Sequence, residues 1–295
     1  MENKVLAVVV TYNRKALLLE CIDALLAQDF SDLDILIVDN ASTDGTGDAV
    51  APYLDKIIYQ NTGANLGGAG GFQFGLRFAA ENGYDYAWIM DDDCIPYPDS
   101  LSTLFSATAS LGRYGYVASK VMWTDGSLCN MNIPRDRELK SIDFSAYSTD
   151  LIPSGAATFV SVLFPVSVIR EVGLPIKEFF IWADDLEYTR RISLRFPCYV
   201  IPSSVVLHKC TTNNGSNIST DEDARISRYK YAYRNEVYLY RREGISGIAH
   251  ILLRTPLHIY KVLRYSPSKK LERIKVIIGS TIEGISFNPP IEYAS

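Results

Sequence analysis

Several things are scarce or missing in this 295-residue sequence, and each absence narrows what the chain can be. Its five cysteines, Cys21, Cys94, Cys129, Cys198 and Cys210, are odd in number, widely spaced and include no C-x-x-C pair. They fit reduced thiols in a cytoplasmic protein better than a disulfide-stapled scaffold. Residues 1–12 lack a basic segment followed by a cleavable apolar one, so no signal peptide is expected. Mean hydropathy is near zero, which argues against both a polytopic membrane protein and a disordered chain. Neither a G-x-x-x-x-G-K-[ST] phosphate loop nor a clear G-x-G-x-x-G turn occurs. What is present is a hydrophobic fraction of 47%, ample for one large domain or for one domain with an appendage.

The net charge of −5 hides an asymmetry. Between Arg225 and Lys275 there are 13 Lys and Arg against 3 acids, so this segment carries +10 and the remainder −15. A basic segment on an acidic body calls for a partner, and an anionic membrane surface is one candidate. A solvated helical face docked on the acidic body is the other.

The first half alternates apolar strand patterns with helical ones. Val5–Val10 is a continuous, largely β-branched run, read as a buried parallel strand ending in Thr11-Tyr12-Asn13-Arg14. A helical pattern follows, with Leu17, Leu18, Cys21, Ile22 and Leu25 on one face. Asp34–Val38 is a second strand, ending in Asp39-Asn40-Ala41-Ser42-Thr43-Asp44, where Ser42 or Thr43 is expected to cap the next helix. Ile57-Ile58-Tyr59 is a third strand. The order predicts an α/β protein with a doubly wound parallel sheet and polar residues at the strands' carboxyl ends. Those ends suit a nucleotide. Tyr12 can lie against a base, Arg14 can meet phosphate, and the Asp39 carboxylate can accept a hydrogen bond from a pyrimidine imide. Capping of turns is the competing explanation for Asp39, Ser42 and Asp44. Asn65-Leu66-Gly67-Gly68-Ala69-Gly70-Gly71-Phe72 then opens a helix. Its glycines allow either close approach of the backbone to a ligand or tight packing of helix on sheet.

Tyr86–Met90 is a further apolar strand that ends in Asp91-Asp92-Asp93. Three adjacent carboxylates repel one another, and a divalent cation held by oxygen ligands relieves that repulsion. In an open α/β sheet, ligands bind beyond the carboxyl ends of the strands, where these acids fall. A solvated turn is the plainer alternative.

Taken in order, Val8–Arg14, Ile37–Asp44, Asn65–Gly68 and Asp91–Asp93 closely resemble the inverting nucleotide-sugar glycosyltransferases of family 2, which have the GT-A fold, a Rossmann-like, mostly parallel central sheet flanked by helices. The resemblance runs to about residue 210. It implies a GT-A domain over 1–215 and a basic, Tyr-rich helical region over 216–295. It implies nucleotide-sugar contacts from Thr11, Tyr12, Arg14, Asp39, Asn65, Gly67, Gly68, Asp91 and Asp92, with Asp39 on the base. It also implies a Mn²⁺ or Mg²⁺ ion held by Asp91, Asp93 and His208, the histidine that ends a late strand pattern over 199–208. The glycine-rich stretch, the full acidic triplet and Arg234-Asn235 resemble galactofuranosyltransferases that use UDP-galactofuranose. Rhamnosyltransferases and other nucleotide-sugar hexosyltransferases share the scaffold.

The second half supplies the acceptor side. Residues 125–153 lose periodicity and read as a loop region flanking an acceptor cleft. Phe179–Ala183 delivers Asp184-Asp185 to the start of a helix, where acids also meet the helix dipole. The resemblance makes Asp185 the general base and lets Asp184 and Glu187 orient the acceptor or the base, while Trp182 can stack on a sugar ring. A carboxylate there matches the need to deprotonate an acceptor hydroxyl. Beyond 221, apolar residues with spaced cations, too interrupted to span a membrane, suit the interface of a membrane, a helical bundle or an oligomer contact. No nucleic-acid-binding motif is present. The expected protein is a transferase at the inner face of the cell membrane, taking a UDP-sugar donor and a glycan or glycolipid acceptor. A non-catalytic sugar-nucleotide-binding assembly subunit is the alternative of another class.

Overall fold

A computed structural model describes residues 3–295. Two compact units are present, one of Met1–Lys177, Asp185–Asn213 and Ile291–Ser295, the other of Glu178–Asp184 and Asn214–Pro290. The second unit therefore includes a short segment that sequence alone assigned to the first.

The first unit is built on one mixed sheet. Strands β1 (Val5–Thr11), β2 (Leu33–Asp39), β3 (Ile58–Asn61) and β4 (Tyr86–Asp91) are joined by helices α1 (Lys15–Leu26), α2 (Thr46–Val50) and α3 (Gly67–Glu81). After them come β5 (Cys94–Pro96), α4 (Ser100–Thr108), β6 (Tyr116–Trp123), β7 (Ile152–Pro153), β8 (Val162–Pro165), α5 (Val166–Val172), α6 (Asp184–Ser193) and β9 (Cys198–His208). The order across the sheet is β3-β2-β1-β4-β8-β6-β9-β5, with β7 paired to β9. β3, β2, β1 and β4 are parallel, as the alternation of strand and helix predicts. The direction reverses at β4–β8, and β5 and β7 lie antiparallel to β9.

Register decides where the polar ends meet. Thr11 pairs with Asp39 across β1–β2, and Val10 with Asp91 across β1–β4. The carboxyl ends of three strands thus form one edge. β9 reaches it from the other side, with His208 opposite Cys94 on β5.

Why these segments adopt these forms is clear locally. Every residue of β1 is buried, which suits a β-branched strand covered on both faces. On α1, Leu18, Cys21, Ile22 and Leu25 are buried at helical spacing. The glycines of α3 serve packing on β1: a Cβ at Gly71 would lie 2.5 Å from Val10 Cγ1, and one at Gly75 2.2 Å from Val8 Cγ1. Of the two explanations for the glycine run, helix-on-sheet packing thus accounts for its later members. The expected Ser42 or Thr43 cap is replaced. Asp44 Oδ1 accepts from the backbone N–H of Thr46 at 3.1 Å, while Ser42 Oγ accepts from Asn13 N–H and Thr43 N–H donates to Asn13 Oδ1.

The second unit holds α7 (Tyr229–Tyr240), α8 (Gly244–Tyr265) and α9 (Lys270–Ser286). Tyr229, Tyr233, Val262 and Ile277 form its core. Part of its positive charge is structural. Arg273 is fully buried and donates to the Asp221 carbonyl at 2.9 Å and to Asp223 Oδ1 at 2.8 Å. Arg241 donates to the carbonyls of Gly284 and Phe287 at the end of α9, where a cation also meets the helix dipole. Among the described residues, no helix is long and apolar enough to cross a membrane.

Candidate active site

At the strand ends the acids are already organised. Thr11 Oγ1 donates to Asp92 Oδ2 at 2.7 Å. Arg14 forms ion pairs with Asp92, at 3.4 Å, and with Asp93. Burial pushes the Asp92 carboxyl up to about 6, against the opposing pull of Arg14 and the Thr11 hydroxyl. Asp93 goes the other way: burial raises it, but hydrogen bonding and charge from His208, together with Arg14, hold it below the usual carboxylate range. Arg14, expected on phosphate, is thus the counter-charge of the triplet. Tyr12 is exposed beside it.

His208 completes the arrangement. Its Nδ1 lies 2.7 Å from Asn132 Oδ1 and its Nε2 lies 3.0 Å from Asp93 Oδ1. Asn132 Nδ2 donates to Thr158 Oγ1 at 2.9 Å, which turns the Asn132 oxygen toward the imidazole. The ring proton therefore belongs on Nδ1, and the Nε2 lone pair faces a carboxylate oxygen. Two acceptors at that distance need a positive charge between them, either a proton or a cation. One ligand atom each from Asp91, Asp93 and His208 lie within 4.8 Å of one another. Two carboxylates and one imidazole, its orientation fixed by Asn132, fit a divalent cation, and the nitrogen ligand favours Mn²⁺ over Mg²⁺.

Asp39 is fully buried. Its Oδ2 accepts from the Tyr59 hydroxyl at 2.5 Å and its Oδ1 from the Ser42 N–H at 2.9 Å. Burial and this bond push the Tyr59 phenol up to about 12, so it stays a donor. Each Asp39 oxygen keeps a second lone pair. Asn65 Oδ1 accepts from Gly67 N–H at 2.9 Å, so its side chain starts α3, and Gly67 itself has φ +70°. Asn40 Nδ2 holds the Gly67 carbonyl at 3.0 Å.

The other set of acids follows an unusual turn. Phe180, Trp182 and Ala183 all have positive φ, at 62°, 67° and 62°. Left-handed backbone at residues other than glycine costs of order 1 kcal/mol each and persists only where surroundings impose it. Here Asn235 imposes it. Fully buried on α7, its Nδ2 donates to the carbonyls of Phe179, Ile181 and Trp182 at 2.9, 3.2 and 2.9 Å. The Trp182 ring packs on Tyr229, centroids 4.9 Å apart. Asp184 is buried at the end of this turn.

Asp185 is half-buried, and its Oδ1 accepts from Leu186 N–H at 2.7 Å. Burial raises its carboxyl to about 6 despite that bond and the charge of Arg135. Glu187 pairs with a cation of its own helix. It is buried in a two-pronged pair with Arg191 at 2.9 and 3.0 Å, and Arg191 donates onward to the carbonyls of Val172 and Leu174. Thr189 ties α6 to the 154–158 loop through Ala157, with bonds of 3.0 Å to its N–H and carbonyl.

The chain as a whole is similar to known proteins. The family model described as glycosyl transferase family 2 matches residues 6–172. The chain is 30% identical over 264 residues to the galactofuranosyltransferase GlfT1 of Mycolicibacterium smegmatis, covering 82% of this chain and 84% of that one. Among solved structures it is similar to the mannosyltransferase PcManGT of Pyrobaculum calidifontis in complex with GDP-Man and Mn²⁺, with a TM-score of 0.57, 16% identity, and coverage of 97% of this chain and 74% of that one. S. aureus TarS 1-349 in complex with UDP gives a TM-score of 0.58 at 14% identity, over 96% of this chain and 72% of that one. The structural likenesses establish the GT-A fold.

Proposed function

The chain belongs to glycosyl transferase family 2, and from that premise we propose a metal-dependent, inverting enzyme that transfers galactofuranose from UDP-galactofuranose to a hydroxyl of a bacterial cell-surface polysaccharide or its lipid-linked precursor. The observation that carries the chemistry is the half-buried carboxylate of Asp185, raised to about 6, at the start of α6. A group with that value is deprotonated at neutral pH and still basic enough to accept a proton.

In this reading Asp185 takes the proton from the acceptor hydroxyl as its oxygen attacks the anomeric carbon from the face opposite the diphosphate. The bond to UDP breaks in the same step, so configuration inverts. Asp91, Asp93 and His208 would hold the divalent cation, whose contribution is to offset charge on the leaving diphosphate. Asp39 accepts the imide N–H of the base through a remaining lone pair, and Tyr12 covers the base. Arg14, exposed on one side, moves from the acids to the diphosphate when donor and cation arrive. Glu187 acts as a positioning residue through Arg191. The donor reading leans on the similarity to GlfT1 across most of both chains.

A place at the inner face of the cell membrane is part of the proposal. Ile245, Leu252, Leu253, Leu257, Tyr260 and Leu263 of α8 are exposed, and Arg264, Lys269, Lys270 and Lys275 nearby in the chain are exposed cations. An apolar face with cations suits an anionic interface.

The donor test is a panel of UDP-galactofuranose, UDP-hexopyranoses and dTDP-rhamnose with Mn²⁺ or Mg²⁺. Turnover of UDP-galactofuranose with inversion is expected. Turnover of only another donor would replace the donor, and binding of UDP without turnover of any would replace the enzymatic reading.

A further inference from the structure

A second group of metal-binding side chains lies on the far side of the same histidine. Cys129 Sγ is 3.8 Å from Cys210 Sγ and 3.7 Å from His208 Nδ1. One ligand atom each from Cys129, His208 and Cys210 lie within 4.8 Å of one another. We propose that Cys129, Cys210 and the Nδ1 edge of His208 bind a thiophilic divalent cation of the Zn²⁺ type, and that this cation excludes the donor-side one by taking the shared imidazole.

The spacing matches tetrahedral zinc. Two Zn–S bonds of about 2.3 Å at the tetrahedral angle put their sulfurs about 3.8 Å apart, and one Zn–S with one Zn–N bond puts sulfur and nitrogen about 3.5 Å apart. The two edges that meet at Cys129 are 3.8 and 3.7 Å, so both match that geometry, and all three ligand atoms lie within 4.8 Å of one another. Thiolate ligands select such a cation over Mn²⁺ or Mg²⁺. The approach of the sulfurs is enforced by their loops. Cys129 N–H donates to the Val121 carbonyl at 3.0 Å, and Trp123 Nε1 donates to the Cys210 carbonyl at 3.0 Å. Asn213 bridges the two loops, accepting from Asn130 N–H at 2.6 Å and donating to the Leu128 carbonyl at 3.0 Å. Cys129 is buried and Cys210 partly exposed, so entry and a water in the fourth position lie on the Cys210 side.

Exclusion follows from the imidazole proton. With the donor-side cation on Nε2, the proton sits on Nδ1 and is given to Asn132. With a cation on Nδ1, that bond to Asn132 is lost, the proton moves to Nε2, and Nε2–H donates to Asp93 Oδ1. Each thiol releases one proton to solvent on binding. Ligation by the thiols stands on its own geometry, whereas the exclusion rests on the reading of His208 as a donor-side ligand.

The test uses the full chain, reduced, with Cd²⁺ as an absorbing probe for Zn²⁺. Titration should produce thiolate-to-cadmium charge-transfer absorbance that saturates at one ion per chain. Cys129→Ser and Cys210→Ser should each lose that absorbance while keeping the circular dichroism of the parent. Cys210, being partly exposed, provides the second variant should the buried Cys129→Ser fail to fold. Wild-type absorbance in a folded Cys210→Ser protein, or none in the parent, overturns the site. Saturating Mn²⁺ should shift the Cd²⁺ titration to higher concentration. Thiolate absorbance untouched by Mn²⁺ would keep the thiol site and contradict the shared histidine.

Discussion

His208 Nε2 stands 3.0 Å from Asp93 Oδ1 while Asn132 holds the opposite ring nitrogen, so this pair is complementary only with a positive charge between its atoms. Asn132 thereby sets the chemistry of a centre it does not touch. Asn132→Ala should remove the acceptor that keeps the proton on Nδ1. Loss of such a partner costs about 10- to 100-fold in metal affinity. The expected outcome is a Mn²⁺ titration of UDP binding shifted by that factor, with little change in UDP affinity at saturating Mn²⁺. An unshifted titration contradicts the role.

The raised carboxyl of Asp185 gives a pH dependence. As a base it acts only when ionised. Its value of about 6 lies above that of an ordinary aspartate, so activity is full above that pH and is lost as pH falls through it. The rate under saturating donor and acceptor should fall about tenfold per pH unit below the midpoint. A rate flat down to the ordinary aspartate range would show that no such group limits the reaction.

Asn235 holds three carbonyls of the turn at 179–182 against three left-handed residues. In Asn235→Ala the carbonyls lose their donor and the turn can relax. Stability should drop by about 1–3 kcal/mol, as expected where buried acceptors lose their partner. Catalytic turnover should fall more than UDP affinity, because the turn leads in the chain directly into Asp185, the base of the proposed reaction. Equal losses in both would point to general unfolding.

The outward face of α8 predicts membrane binding. The full chain should sediment with vesicles containing anionic lipid, less so with neutral ones or at high salt. Leu252→Glu combined with Leu257→Glu should weaken that association while leaving UDP binding intact. Identical sedimentation of parent and variant would exclude this face.

Much of the proposed donor side was legible in sequence, because its central strands are short, mostly buried apolar runs that stop at polar residues. The β1 run ending at Thr11 and the β4 run ending in the triplet are of this kind. Reversal of the sheet after β4 was not legible, since β6, β8 and β9 read alike whichever way they run. Asn132 sits in an aperiodic stretch, and an asparagine there carries no signal until the fold brings it to His208. The approach of Cys129 to Cys210 likewise depends on two loops 81 residues apart in sequence. The pairing of Glu187 with Arg191, four residues on, is legible from helical spacing once α6 is placed. For the basic segment, sequence alone left a membrane partner and a packed helical bundle open, and the donations of Arg241 and Arg273 to carbonyls within the helical unit become visible only in the fold.

The most direct test of the central claim compares Asp185→Asn with the parent for transfer from UDP-galactofuranose to a lipid-linked glycan acceptor, alongside UDP binding with Mn²⁺. The amide keeps the shape and removes the base. The account predicts transfer lowered by about 10²- to 10⁴-fold with Mn²⁺-dependent UDP binding unchanged. Near-parental transfer by Asp185→Asn would contradict it.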